Sequence, residues 1–212
     1  MHKIQARLLL ALALASGVAG AAPPLALSAQ NGVTVLSGTV AGWALGARGL
    51  AFSESRGPLT RGKVDAGGAF QIALPTPAQL GGLTRKVGDL YDVVGCDDQP
   101  SDFDISGREA ELYWLPQLSV QKARPNPKAP YERGEVYNLT ADGQDELRLL
   151  YSSAYTTIYV NVSCSSFGSE RSVAYDLKLA PGWNMVLDRR GNSTDVRNAP
   201  SSLQTRWLYG VR

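Results

Sequence analysis

Histidine is nearly absent from this chain of 212 residues: His2 is the only one. It stands in an N-terminal segment expected to be removed, so the mature chain is expected to have none. Ser-His-Asp and Cys-His nucleophile systems need an imidazole base. Catalytic zinc, blue-copper and most haem sites take histidine ligands. Carboxylate chemistry, Ser-Lys pairs and oxygen-ligand calcium sites are what remain. Excess charge is also lacking, with 21 Lys and Arg against 19 Asp and Glu. A positive field able to meet nucleic-acid phosphates is therefore not expected. No apolar segment of helical period is long enough for a substantial helix.

The N-terminus has the parts of a secretory signal peptide. His2, Lys3 and Arg7 precede the apolar run LLLALALASGVAGAA, and Pro23-Pro24 follow it. Ala19-Gly20-Ala21 matches a small-x-small cleavage site, so residues 1–21 are expected to be cleaved. A spanning helix wants about 20 apolar residues, more than this run supplies, so no transmembrane segment is expected after cleavage. Loss of Lys3 and Arg7 leaves the mature chain formally neutral. The expected location is the periplasm, cell envelope or extracellular space.

Twenty-two glycines, 12 prolines and turn dipeptides along the chain predict many short strands and an all-β, antiparallel β-sandwich with at most one-turn helices. The expected organisation is a first β-half over 22–120, a Pro-rich basic connection over 121–134 and a second β-half over 135–212. Strands are read at GVTVLSGTV, GLAFSE and the hairpin GKVDAGGAFQIALP, whose Asp65-Ala66-Gly67-Gly68 supplies the turn. Thr76, Pro77 and Gln79 form a capping box for a one-turn helix. LYDVVGC and AELYWL read as further strands, with LSVQ beside the latter. QKARPNPKAP carries three prolines and is expected to lie outside any sheet. EVYNLTADGQDELRLLY reads as a hairpin around Asp142-Gly143. VAYDLKLAPGWNMVLDRR reads as two strands turned at Pro181-Gly182, and TRWLYGV as the last strand.

Cys96 and Cys164 survive cleavage in a protein bound for an oxidising compartment, which implies a disulfide. The bridge would close a loop of 68 residues and tie the two halves together.

Three groups of residues are candidate sites. In YTTIYVNVSC, Ile158, Val160 and Val162 alternate with Tyr155, Thr157, Tyr159 and Asn161. The first set wants a core. The second is either plain sheet surface or a face whose rings stack on sugars while its hydroxyls and amide read sugar hydroxyls. Asp97, Asp98, Asp102 and Asp104 crowd one acidic loop. They are candidates for calcium, for the paired carboxylates of a glycoside hydrolase, or simply a solvated turn. Lys122, Arg124, Lys128 and Arg133 make the 121–134 connection basic, either a solvated linker or a dock for an anionic polymer. The tryptophans Trp43, Trp114, Trp183 and Trp207 are expected in the core, with Trp43, set among glycines, the one expected to be exposed.

The stretches SGTVAGW, GLAFSE and GKVDAGGAFQIALP resemble the carboxypeptidase-regulatory or transthyretin-like β-sandwich modules of exported proteins. The second half, with YDLKLAPGWNMVL, is similar to a strand pair of exported proteins from GC-rich bacteria. Both resemblances imply a secreted, non-enzymatic β-protein and carry no catalytic residue or cofactor. The expected role is structural or protein-interacting in the envelope, with binding of surface polysaccharide through the tyrosine face as the alternative.

Overall fold

The computed structural model describes residues 26–30, 32–55, 57–90, 102–166, 169–189 and 193–211. The predicted signal peptide, residues 91–96 of the strand predicted over 90–96, and Asp97 and Asp98 lie outside these residues, while Leu90 ends a 3-10 turn and does not start a strand. What is described is nearly all β and mostly antiparallel, as expected. No helix among the described residues is long and apolar enough to cross a membrane.

The first five strands are β1 (Ala26–Gln30), β2 (Val33–Thr39), β3 (Arg48–Glu54), β4 (Gly57–Val64) and β5 (Ala69–Ala73). They lie in the order β1-β2-β5-β4-β3. Strand alternation sends Leu36, Leu50, Phe52, Phe70 and Ile72 into a first core. The β4–β5 turn forms where the glycines predict it. Asp65 Oδ1 accepts from the N–H groups of Gly67 and Ala69 at 2.8 and 2.9 Å, and Gly68 takes φ +89°, a conformation that costs glycine nothing. The one-turn helix α1 (Pro77–Leu80) follows. Gln79 Oε1 accepts from the Thr76 N–H at 2.9 Å, and Leu80 is wholly buried in the first core.

Two short strands come next, β6 (Arg85–Lys86) and β7 (Asp102–Ile105), with a 3-10 turn at Val87–Leu90 between them. Then come β8 (Glu111–Trp114), β9 (Leu118–Asn126) and β10 (Ala129–Thr140). Two expectations are corrected here. LSVQ begins β9, which pairs with β3 and β10 and not with β8. Residues 121–134 are not an exposed connection outside the sheet, because they form most of the β9–β10 hairpin. Its register shifts twice, between Ala129 and Tyr131 and between Tyr131 and Glu135. Irregularities of this kind are where a ladder tolerates proline.

The remaining strands are β11 (Asp145–Ser152), β12 (Thr156–Ser166), β13 (Ser169–Leu179), β14 (Gly182–Arg189), β15 (Thr194–Asn198) and β16 (Thr205–Gly210). The ladder continues β3-β9-β10-β11-β14-β15-β13-β12-β7, with β16 on β10 and β8 on β11. The chain reverses at Pro181-Gly182 as predicted, with Gly182 at φ +100°. Away from that turn β13 and β14 part, and β15 enters between them, parallel to β13 and antiparallel to β14. Two carboxamides knit this region. Asn184 bonds the Ala180 N–H and C=O at 3.0 and 2.8 Å. Asn198 does the same for Lys178 at 2.7 and 3.0 Å.

β11 is buried along almost its whole length. Leu149 and Tyr151 enter the first core. Leu150, of opposite parity, enters a second core with Ile158, Val160, Val162, Leu177 and Val186. One strand thus separates two cores.

Candidate functional site

β12 carries the most exposed aromatic face. Ile158, Val160 and Val162 are buried in the second core. A period of two then drives Thr157, Tyr159 and Asn161 outward. Tyr155, just before the strand, is 78% exposed and Tyr159 is 47% exposed. Their positions, four residues apart, are separated by roughly 13 Å at strand rise. The expected division into core and outer faces holds through this stretch, including Thr156, a polar residue buried on the core-facing parity.

Neighbouring strands complete the face. Tyr159 stands opposite Asp104 of β7 on one side and Asp176 of β13 on the other. Thr157 stands opposite Lys178. Thr157 is held through its hydroxyl, 2.8 Å from Ser106 Oγ, and Ser106 Oγ accepts its N–H at 2.9 Å. Thr156 donates its hydroxyl to the Ser106 carbonyl. Gly107, at φ +62°, lets the chain pass close to this strand, where a Cβ would meet the Tyr155 carbonyl oxygen at 2.8 Å. The base of the face is therefore fixed, with Tyr155 largely exposed and Tyr159 about half exposed above it.

The acidic-loop expectation is corrected in part. Asp102 and Asp104 lie on strand β7 rather than in a loop. Asp104 stands opposite Tyr159 in register. Among the described residues no group of three or more His, Cys, Asp or Glu converges to hold a metal. Cys164 lies on β12, and its proposed partner, Cys96, is outside the described residues.

Trp207 is buried in the first core, as expected, and Trp183 and Trp43 pack partly buried against it. Trp43 is thus less exposed than its glycine-rich setting predicts. Its indole meets Tyr209 edge-on at 5.6 Å and donates to the Gly46 carbonyl at 2.8 Å. Trp114 packs against the second core, with the Arg148 guanidinium 4.8 Å from its ring centre.

Two polar features are missed by the sequence reading. Asp145, 4% exposed, accepts from Arg189 Nε at 2.8 Å and Arg197 Nη2 at 2.7 Å. Its carboxylate also holds Arg189 charged, raising that guanidinium's pKa above its already high value. Asn138, 1% exposed, lines a cavity of about 40 Å³, and its carboxamide meets no hydrogen-bond partner. Its cross-strand neighbour Trp207 leaves its own indole N–H unpaired there.

No family model, curated protein or solved structure matches this chain.

Proposed function

We propose that this chain is an exported, non-catalytic binding protein that holds surface polysaccharide on the Tyr155/Tyr159 face. The observation that carries the reading is the pair of solvent-exposed tyrosines on one outer strand face, set in polar neighbours. Flat rings cover the apolar faces of sugars, and carboxylates beside them accept sugar hydroxyls. Two acids flank Tyr159 in register and one lysine stands opposite Thr157, which favours neutral or amino-bearing sugars over acidic ones. The exposure of Tyr155 and Tyr159 on an outer strand face suits an open platform for an extended polymer better than an enclosed small-ligand site. A protein partner would want contiguous apolar surface, and Thr157, Asn161, Asp104, Asp176 and Lys178 interrupt it here.

The carboxylates fit recognition better than hydrolysis. Asp104 and Asp176 lie two strand spacings apart, roughly 10 Å. Tyr159 stands between them in register, whereas the paired carboxylates of a glycosidase face each other across the scissile bond. Export, the sandwich architecture and a Cys96–Cys164 bridge belong to the same reading, supported by the N-terminal pattern and the transthyretin-like β4–β5 hairpin. Intact mass of the exported protein tests the export and the bridge: cleavage after Ala21 and the loss of two thiol hydrogens are expected.

Co-sedimentation with insoluble cell-wall and surface polysaccharide tests the site. Wild type is expected in the pellet, and Tyr155→Ala/Tyr159→Ala in the supernatant. Wild type that stays soluble, or a double variant that pellets equally, rejects the reading.

A further inference from the structure

A second face has different chemistry. Across the outer side of the first half, Tyr131 of β10 stands opposite Gln121 of β9, and Gly49 of β3 stands opposite Lys63 of β4. Arg61, two residues before Lys63, projects from the same side, roughly 7 Å away along the strand. With Arg48, these residues line a recess of about 440 Å³ that contains no carboxylate. Gly49 lacks a side chain where one would block it: the Gln121 carboxamide oxygen lies 2.4 Å from where a Cβ would stand. Gln121 therefore lies across the strand toward Lys63.

The donors here are unspent. Among the described residues neither Arg61 nor Lys63 forms an ion pair, and neither the Gln121 carboxamide nor the Tyr131 hydroxyl has a hydrogen-bond partner. Arg48 gives Nη1 to the Ala47 carbonyl at 2.9 Å, but its buried Nε has none. Three other arginines are paired: Arg148 with Asp188, Arg189 with Asp145, and Arg197 with Asp145 and Asp195.

We propose that this recess binds an acidic sugar of an anionic polysaccharide. Its carboxylate meets Arg61 and Lys63, its hydroxyls meet the Gln121 carboxamide, and its apolar ring face lies on Tyr131. A bare oxyanion uses the cations and leaves the amide and the ring idle, so charge complementarity together with those two groups selects a uronate. The volume lies within the roughly 300–1,000 Å³ of small-ligand sites. The basic character expected of 121–134 thus contributes little here: that segment supplies Gln121 and Tyr131, while the cations come from β3 and β4.

The site shares no residue with the tyrosine face, so the two proposals fail separately. The experiment is calorimetric titration of the full protein with a galacturonate oligosaccharide at physiological salt, with a neutral glucan and inorganic phosphate as competitors. Binding is expected to weaken by about tenfold or more in Arg61→Gln/Lys63→Gln, where two charge-assisted contacts are lost. It is expected to weaken several-fold in Gln121→Ala, which changes no charge, and to persist in Tyr155→Ala/Tyr159→Ala. Absence of wild-type binding, unchanged binding in the charge variant, or equal competition by inorganic phosphate overturns the proposal. These side chains lie at the surface, and an unchanged melting temperature shows that each variant is folded.

Discussion

Tyr113 shows how one polar contact ties distant segments. Its ring is buried in the first core, and its hydroxyl donates to Glu54 at the end of β3. Burial, followed by the hydrogen bond and charge of Glu54, pushes its ionisation well above the ordinary tyrosine range. The unfolded chain ionises tyrosine near pH 10 and so releases this proton first as pH rises. Fewer protons on the unfolded state mean falling stability. The contribution of this group is complete below about pH 10 and declines above it by up to about 1.4 kcal/mol per pH unit. Tyr113→Phe is expected to cost about 1–2 kcal/mol at neutral pH by removing the bond to a charged group, and to flatten the alkaline decline. Urea midpoints at several pH values between 8 and 11 measure both, and a parallel decline in the two proteins refutes the assignment.

At the scale of elements, the end of the β11–β14–β15 ladder depends on Asp145. Opposite Arg189 in register and bonded also to Arg197 of β15, it joins three strands at one carboxylate. Removing one partner of a wholly buried pair costs about 3–5 kcal/mol. Both arginines here reach water, so Asp145→Ala is expected to cost about 2 kcal/mol in urea unfolding. A loss below about 0.5 kcal/mol, typical of exposed pairs, would show that the network does no more than a surface one. Its sequence setting, TADGQDE, reads as a solvated turn, and only the arrival of Arg197 on β15 makes the acid a structural joint. The same limit explains what was and was not legible. Local rules placed the β12 alternation, the Asp65 turn, the α1 capping box and the reversal at Pro181-Gly182. They could not place β15 between β13 and β14, because a turn signal says where a chain reverses and not whether its arms pair. Nor could they admit prolines to β9–β10, since the tolerance comes from register shifts in the partner strand. The tyrosines of the candidate face were legible from alternation alone. Asp104 and Asp176 were not, because their place beside Tyr159 depends on pairing with β7 and β13.

Across the whole molecule, β11 makes the two cores depend on each other. Leu149 and Tyr151 serve the first, and Leu150, wholly buried, serves the second. Loosening β11 from either side removes a wall of the other core, so the protein is expected to unfold in one transition. Leu150→Ala tests this, because it empties space only on the second-core side and is expected to cost about 2–5 kcal/mol. Three of the four tryptophans, Trp43, Trp183 and Trp207, pack on the first core. Their fluorescence therefore reports mainly on the region the substitution does not touch. Coupled cores require the fluorescence and far-ultraviolet dichroism midpoints to fall together, with the urea slope unchanged. A fluorescence midpoint that stays in place while the dichroism curve splits would mean two independent units. A single transition would also bear on binding: the tyrosine face is built on the second core and the basic recess on the first, so their relative placement is only as rigid as β11.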